Sequence, residues 1–274
     1  MERFLDTIEK VKSGVIRITS IKNNNIAGSG TGFISNNRII TNDHVLKGAL
    51  SGETVWLTFH DTPISKSISN GKETVNAKPP ILTLSKQDFK KLVITSSEEN
   101  FYDYAILSLP EAIQKMNLFQ FELLENAEKK MGMDIAFLGY PLDAFNITCH
   151  SGRISSLFSR GIVDNVIQID ASINGGNSGG PLFMPDTGKV VGIITRKATG
   201  ITKMFDELKN GLRQNMELIN NSSGANILMG GIDLRRAIEA TQLQSLVIIE
   251  EIERSANVGI GYAFPIDPVT SALK

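Results

Sequence analysis

A glycine-rich segment around one serine carries the clearest chemical signal in the sequence. Residues 174–181 read Asn-Gly-Gly-Asn-Ser-Gly-Gly-Pro, with the serine at Ser178. A serine hydroxyl attacks an acyl carbonyl when a base takes its proton and main-chain N–H groups stabilise the oxyanion that forms. Glycine lets such groups approach a substrate closely. We interpret Ser178 as a candidate nucleophile, with the N–H groups of Gly176 and Ser178 as the oxyanion hole. An ordinary surface loop is the alternative.

The positions of the histidines decide which hydrolase arrangement this serine can belong to. Gly-x-Ser-x-Gly also marks the nucleophile elbow of α/β-hydrolases, where the catalytic histidine follows the serine. The three histidines, His44, His60 and His150, all precede Ser178. The elbow is therefore excluded, and a triad in the order His, Asp, Ser remains open.

His44 and Asp103 are the candidate partners of the serine. The strand-like run 38–41 ends just before His44, so we expect this histidine on the loop that follows the strand. Asp103 opens the strand-like run 103–109, where burying a carboxylate is unfavourable unless it is paired. A histidine N–H is a suitable partner, so we predict that Asp103 orients His44. A solvent-facing aspartate at the start of a strand is the alternative.

The elements that must position these residues are short strands. Apolar or alternating runs begin near residues 15, 38, 54, 92 and 134, with asparagine turns between several of them. The glycines of residues 28–32 are not followed by a helical pattern, so they indicate a closely packed strand and not a dinucleotide loop. Residues 61–90 are polar and predict a long exposed excursion.

Composition and charge exclude several other classes of protein. The chain has 274 residues, 41% of them hydrophobic, so it can bury a sizeable core. Its net charge of −1, without a long basic run, argues against nucleic-acid binding. Cys149 and His150 do not by themselves form a metal site. We expect no metal and no cofactor, and we expect the single cysteine to be packed.

The N-terminal residues 1–12 predict a short amphipathic helix, with apolar side chains at Phe4, Leu5, Ile8 and Val11. The helix either packs on the body or forms an oligomer contact. The segment lacks the apolar centre of a signal peptide, and no run is long enough to cross a membrane. We therefore predict a cytoplasmic protein that does not bind membranes.

Four motifs in order resemble the chymotrypsin-like serine peptidases, and most closely their HtrA/Deg-type bacterial branch. The resemblance covers most of residues 14–200 and residues 258–267. The matching segments are Thr-Asn-Asp-His-Val at 41–45, Asp-Tyr-Ala-Ile-Leu at 103–107, the nucleophile segment 168–182 and the final strand-like segment 259–265. Tyr104 and Gly175 depart from the residues that are usual in this branch.

The resemblance implies a mostly β fold with two antiparallel β-barrels and a triad in the cleft between them. His44 and Asp103 would come from the first barrel and Ser178 from the second. His44 would accept the Ser178 proton and later protonate the leaving amine, while Asp103 would hold the histidine tautomer and stabilise the imidazolium. We expect one peptidase domain over 1–274, with the helix at 1–13 and barrels at 14–125 and 126–274.

Two departures from digestive relatives concern activation and specificity. Asn177 stands where zymogen-activated members have an aspartate, so activation by a new N-terminus is not expected. Ser172 stands where trypsin-like members place an aspartate, and Ile194 where glutamyl-specific members have a histidine. We predict a small or medium apolar residue at P1. The predicted substrate-binding residues are Ser172, Ile194, Thr195 and Arg196.

An insertion at about 201–257 precedes the last strand. Apolar residues recur there at helical spacing on both sides of the polar run 220–224, which predicts two helices. The insertion is either a satellite core packed on the barrel or a lid, activation switch or regulatory partner surface. The chain ends at Lys274, soon after the final strand-like segment, so no PDZ domain is expected.

These observations predict a serine endopeptidase that acts on specific protein or peptide substrates through His44, Asp103 and Ser178. A catalytically quiet module of the same fold, which binds peptides or a protein partner, is the alternative. An esterase using the same triad is a weaker third class. An oligomer is compatible with the sequence.

Overall fold

The strands expected from the apolar runs are present in a computed structural model. It describes residues 2–59, 64–69, 72–77, 82–143, 146–161, 163–195, 200–221, 228–229, 232–256 and 259–274. The chain divides into two compact units. One comprises residues 1–196 and 259–274, and the other comprises residues 197–258.

Seventeen strands and seven helices are defined among these residues. The strands are β1 Val15–Lys22, β2 Asn25–Ser35, β3 Arg38–Thr41, β4 Thr54–Thr58, β5 Ile64–Ser69, β6 Lys72–Ala77, β7 Leu82–Ser85, β8 Val93–Ser97, β9 Tyr104–Ser108, β10 Asp134–Gly139, β11 Thr148–Arg160, β12 Val163–Ile169, β13 Pro181–Phe183, β14 Val190–Thr195, β15 Leu228–Met229, β16 Ile232–Asp233 and β17 Gly261–Pro265. The helices are α1 Glu2–Val11, α2 Asp43–Ser51, α3 Lys86–Lys91, α4 Glu111–Gln114, α5 Gly200–Asn221, α6 Leu234–Ala256 and α7 Asp267–Leu273. Two short 3₁₀ turns lie at Lys12–Gly14 and Pro141–Asp143.

Seven strands of the first half form one antiparallel sheet in the order β7-β4-β1-β2-β3-β9-β8. Of the turn predicted at residues 23–25, Asn23 and Asn24 join β1 to β2 while Asn25 already belongs to β2. The predicted turn Asn36–Asn37 joins β2 to β3, and these four joining residues have positive φ. Asparagine tolerates this conformation, which two-residue hairpin loops require. The sheet is open, because its edge strands β7 and β8 do not pair with each other in the described part of the chain.

Six strands of the second half close into a barrel in the order β10-β11-β12-β17-β14-β13. Its interior holds Ile135, Phe137, Ile167, Leu182 and Ile194, none of which has exposed surface. The predicted mostly β fold with two antiparallel barrels is confirmed in outline: the second barrel is closed, whereas the first is an open half-barrel among the described residues.

A shared apolar cluster joins the two sheets within this unit. It contains Phe33 from β2, Ile106 from β9 and Leu138 from β10, with Phe121 of the connecting segment between them. The last residue of α1, Val11, is buried in the same cluster, and Phe4 and Ile8 pack against it. The N-terminal helix therefore packs on the body of the protein, one of the two expectations for it.

Four local expectations are wrong or incomplete. Residues 61–90 are not a plain excursion, because they contain the hairpin β5–β6, strand β7 and helix α3. His44 lies in the first turn of α2 and not on a loop. Asp103 immediately precedes β9 and does not open it. Cys149 is exposed and not packed. The sequence could not show this, because alternation along a strand indicates its two faces but not which parts of each face other elements cover.

The second unit contains the two helices expected in the insertion. These are α5 and α6, and the two-residue strands β15 and β16 pair between them. Helix α7, after the last strand of the first unit, was not predicted. Among the described helices, none combines the length and the apolar character needed to cross a membrane.

Candidate active site

Asp103 is a buried carboxylate that contacts His44 twice. Its Oδ2 lies 2.7 Å from Nδ1 of His44, and its Oδ1 accepts the main-chain N–H of His44 at 3.1 Å. That N–H belongs to the first turn of α2, where helical N–H groups lack partners within the helix. The Asp103 carboxylate therefore orients the His44 imidazole and also caps α2, the helix that carries His44.

The backbone before β9 holds Asp103 in place. Asp103 has a φ of 44°, a conformation that aspartate tolerates better than most residues. Its carbonyl accepts the side-chain amide of Asn42 at 2.8 Å. His44 and Asp103 are therefore both anchored close to paired strands, because His44 follows the end of β3 at Thr41, Asp103 precedes β9, and β3 pairs with β9.

The electrostatic setting favours the protonated form of His44. Burial lowers the pKa of His44, but the hydrogen bond and the charge of Asp103, with contributions from Glu99 and Asp43, outweigh burial and raise the pKa above its ordinary value of 6.5. A neutral imidazole whose Nδ1–H faces a carboxylate presents Nε2 as a proton acceptor. A general base requires this neutral form, and the raised pKa favours the protonated form that exists after the proton has been accepted.

Thr195 lies against the acid. The sequence indicated it only as a substrate-binding residue, yet it is buried and its hydroxyl donates to Oδ2 of Asp103 at 2.9 Å. The carboxylate oxygen nearest His44 is therefore held by a second donor. A threonine at the end of an apolar strand gives no sequence signal for such a contact, because β14 and β9 belong to different sheets.

The loop around Ser178 has a backbone that only glycine accommodates at two positions. Gly176 and Gly179 have φ values of +96° and +88°. A Cβ at Gly176 would lie 2.1 Å from the Tyr140 carbonyl oxygen, and one at Gly179 would lie 1.9 Å from the Thr31 carbonyl oxygen. Both positions combine positive φ with close approach of another main chain.

The segment 174–180, called the Ser178 loop below, is held between the two sheets. The N–H of Thr31 in β2 donates to the Ser178 carbonyl at 2.8 Å. On the other side the loop pairs with β14, through Gly179 N–H to the Ile194 carbonyl at 2.8 Å and Ile194 N–H to the Gly180 carbonyl at 2.9 Å. Because Thr195 follows Ile194, the contacts around Ser178 and those around Asp103 meet at the end of β14.

One candidate oxyanion donor has a defined direction. The Gly175 carbonyl accepts the N–H of Leu142 at 2.8 Å. The peptide bond between Gly175 and Gly176 is trans, so the Gly176 N–H points away from Leu142. Within the described residues this N–H has no hydrogen-bond acceptor, as the predicted role of an oxyanion donor requires.

The remaining predicted residues have different surroundings. Ser172 is half-buried, and its hydroxyl accepts the N–H of Gly259 at 2.8 Å. Ile194 is fully buried in the core of the barrel. Asn177 has no exposed surface, and its side-chain amide makes no hydrogen bond to the described residues. Arg196 lies outside the described residues, as does His60, while His150 stacks on Phe137 with ring centroids 4.7 Å apart.

Comparison with known proteins relates this arrangement to a group of bacterial proteases. A probable periplasmic DegP-like serine endoprotease of Rickettsia prowazekii is 30% identical over 174 residues, which is 61% of this chain and 28% of the relative. A probable periplasmic do/HhoA-like serine protease of Haemophilus influenzae is 25% identical over 251 residues, which is 85% of this chain and 47% of the relative. The chain thus spans less than half the length of these relatives.

Solved structures support the same fold. The serine endoprotease from Yersinia pestis aligns with a TM-score of 0.55 over 98% of this chain and 65% of that chain, at 19% identity. The two sequence relatives are named as periplasmic, so their names do not support the cytoplasmic location predicted from the N-terminal segment.

The family assignment rests on a match that spans both sheets. The model of the trypsin-like peptidase domain matches residues 28–193, which include His44, Asp103 and Ser178. The names of the two relatives, DegP-like and do/HhoA-like, agree with the resemblance to the HtrA/Deg-type branch expected from the four sequence motifs. The chain belongs to the family of trypsin-like peptidase domains.

Proposed function

We propose that the protein is a serine endopeptidase whose nucleophile is Ser178, whose general base is His44 and whose orienting acid is Asp103. The observation that carries the proposal is the 2.7 Å contact between Nδ1 of His44 and the buried Asp103 carboxylate. A structural histidine has no need of a dedicated buried charge. Membership of the peptidase family supports the same chemistry.

The reaction runs in two halves. Ser178 Oγ attacks the scissile carbonyl carbon while Nε2 of His44 takes the hydroxyl proton, and the carbonyl oxygen becomes an oxyanion held by the N–H groups of Gly176 and Ser178. The C–N bond then breaks, and the amine leaves with the proton from His44. A water molecule attacks the acyl-enzyme while His44 takes its proton, the bond between the acyl carbon and Ser178 Oγ then breaks, and His44 returns the proton to Oγ as the carboxylic acid product leaves.

The proposed substrates are peptide bonds of specific proteins, with a small or medium apolar residue at P1. Ser172 supports this preference because it supplies no charge for a basic or acidic side chain. Ile194, although buried in the core of the barrel, leaves its strand position without the histidine of glutamyl-specific members. Thr195 and Arg196 are retained as substrate-binding candidates, the former through its place at the end of β14. Cleavage of a peptide library should select apolar P1 residues, and a profile dominated by arginine or glutamate would contradict the assignment.

A fluorophosphonate probe tests the nucleophile directly. The wild-type protein should be labelled and Ser178→Ala should not, while Ser151→Ala, which removes an exposed serine of β11, should be labelled like the wild type. Absence of labelling in the wild type, with casein uncleaved, would instead favour the catalytically quiet, peptide-binding module.

The helical insertion is proposed as a surface for a regulatory protein partner or for an oligomer. Exposed apolar side chains on both of its helices support this role: Leu208 and Leu218 on α5, and Ile238, Val247 and Ile252 on α6. Deletion of residues 203–254 should change activity, oligomeric state or partner binding. No change in any of the three would favour a satellite core. The cytoplasmic location stays a prediction that fractionation of the source cells would test.

A further inference from the structure

We propose that the hydroxyl of Thr31 is a positioning group of the oxyanion hole, supplied by the first sheet to a loop of the second. The inference rests on the proposed endopeptidase mechanism and adds a residue that belongs neither to the triad nor to the pair of oxyanion donors. Thr31 lies in β2 and has no exposed surface.

Thr31 holds two carbonyl groups of the Ser178 loop. Its hydroxyl donates to the Gly176 carbonyl at 2.6 Å, and its N–H donates to the Ser178 carbonyl at 2.8 Å. The first bond sets the peptide plane that follows Gly176, and the second sets the plane that follows Ser178. One residue thus controls the main chain on both sides of Asn177.

The first of these bonds completes a clamp on Gly176. The plane before Gly176 is set by Leu142, whose N–H donates to the Gly175 carbonyl at 2.8 Å. The plane after it is held by two bonds, the Thr31 hydroxyl on the Gly176 carbonyl at 2.6 Å and the Asn177 N–H on the Asn174 carbonyl at 3.1 Å. When both peptide planes are held, the φ and ψ of Gly176 are fixed, although glycine is the residue type with the greatest conformational freedom. The direction of the Gly176 N–H, the proposed oxyanion donor, then depends on the hydrogen bonds of both planes.

The remaining hydrogen bonds of Thr31 make it a rigid anchor. Its Oγ1 accepts the N–H of Tyr140 at 3.1 Å, which orients the hydroxyl proton toward Gly176. Its carbonyl accepts the Thr41 hydroxyl at 2.6 Å, three residues before His44. Thr31 is therefore tied both to the strand that leads to the base and to the loop that carries the nucleophile.

Replacement by valine removes the hydroxyl with little change of shape. In Thr31→Val the Gly176 carbonyl loses its donor and the Tyr140 N–H loses its acceptor, while the main-chain bond from residue 31 to Ser178 remains. The plane after Gly176 then keeps only the weaker bond from the Asn177 N–H to the Asn174 carbonyl, so Gly176 can more easily turn its N–H away from the hole. Because the oxyanion forms only during reaction, the rate of the chemical step should fall and initial binding should not.

Fluorophosphonate kinetics separate these two quantities. In this reaction Ser178 Oγ forms a bond to phosphorus, the P–F bond breaks, fluoride leaves, and His44 takes the hydroxyl proton. For Thr31→Val we expect the maximal labelling rate to fall about tenfold to a hundredfold, somewhat less than the loss of a donor itself. The half-saturating probe concentration should stay within about threefold.

Two further variants control for structural damage. Thr31→Ser keeps the hydroxyl and should restore most of the rate. Thr270→Val removes another buried threonine hydroxyl that donates to a main-chain carbonyl, that of Asp267 in α7 at 2.7 Å, and should leave the rate unchanged. Thermal unfolding of each variant checks that the protein is folded.

The outcomes distinguish this inference from the proposed function. Labelling of Thr31→Val at the wild-type rate, or no rescue by Thr31→Ser, would overturn the role of Thr31 while leaving the endopeptidase intact. An equal loss of rate in Thr270→Val would show general damage and would also overturn it. A wild-type protein that does not react would overturn the proposed function, and this inference with it.

Discussion

At the scale of single residues, the site is organised around one buried charge. The Asp103 carboxylate accepts from His44 Nδ1–H, from the His44 main-chain N–H and from the Thr195 hydroxyl. Burial of a charge is unfavourable unless hydrogen bonds compensate it, and these three donors supply that compensation. Each donor also fixes a direction, so the contacts that stabilise the carboxylate orient the imidazole.

The pH dependence of activity should depend on Asp103. The wild-type pKa of His44 is raised by Asp103 against the effect of burial, so kcat/KM should rise as pH increases through a midpoint above 6.5. In Asp103→Asn burial remains while the charge is lost, so the midpoint should move to lower pH. Activity should also fall about ten-thousandfold, because the imidazole is held in the wrong tautomer. Rate profiles between about pH 5 and pH 9 measure both effects, and an unmoved midpoint would contradict them.

The Thr195 hydroxyl should contribute to turnover. A hydrogen bond to a charged group contributes about 1.5–3 kcal/mol, and about 1.4 kcal/mol corresponds to a tenfold change in rate. We expect Thr195→Val to lower kcat at least about tenfold, because Asp103 loses a donor as the imidazolium forms. Thr195→Ser should retain most of the activity. Equal kcat values for the valine and serine variants would show that the hydroxyl is not involved.

At the scale of elements, the nucleophile loop depends on backbone conformations that its glycines permit. Gly176 and Gly179 combine positive φ with main-chain atoms where a Cβ would lie. This geometry allows the loop to form main-chain hydrogen bonds with β2 on one side and β14 on the other. Helix α2 and strand β9 perform the corresponding task for the base and the acid.

Alanine at Gly179 should be far more harmful than alanine at a comparable glycine. Gly132 has a φ of +84°, but nothing lies within 4 Å of where its Cβ would be. Gly132→Ala should therefore lose only about 1–2 kcal/mol of stability from its left-handed backbone. Gly179→Ala adds a clash with the Thr31 carbonyl, so its melting temperature should fall further and its activity should be lost. Thermal melts and probe labelling of both variants test this, and equal losses would rule out the clash as the cause.

At the scale of the whole molecule, the unit that carries the site depends on contact between its two sheets. Phe121 lies at this contact, with its ring 5.6 Å from Phe33 of β2 and 6.1 Å from Phe183 of β13. Its N–H also donates to the Ile34 carbonyl at 2.7 Å. Because residues of the candidate site come from both sheets, we expect packing at Phe121 to preserve the distances on which the proposed mechanism depends.

Phe121→Ala should destabilise this unit by about 3–5 kcal/mol, the typical cost of emptying a buried phenylalanine site. Phe119→Ala provides the control, because the Phe119 ring meets the Phe121 ring edge to face with centroids 5.1 Å apart but is only half-buried. Denaturant unfolding should show a markedly larger loss for Phe121→Ala. Similar losses in the two variants would contradict the assignment of Phe121 to the centre of the contact.

The accuracy of the sequence-based expectations differed between kinds of feature. Strand runs, the asparagine turns and the two inserted helices were predictable, because each is encoded within about ten neighbouring residues. The start of α2 at Asp43 was missed. The His44 N–H in its first turn finds a partner in Asp103, which is distant in the chain. The exposure of Cys149 was missed because it depends on what covers each strand.

The sequence by itself determined the residue types, their order along the chain and the local backbone that glycine and asparagine allow. These were sufficient to select His44, Asp103 and Ser178 as candidates and to exclude an α/β-hydrolase. Only the tertiary structure decided that Thr195 contacts the acid and that Thr31 holds the Ser178 loop. The physical reason is that both contacts join different sheets, and their hydrogen bonds arise from the packing of the two sheets and not from any local pattern.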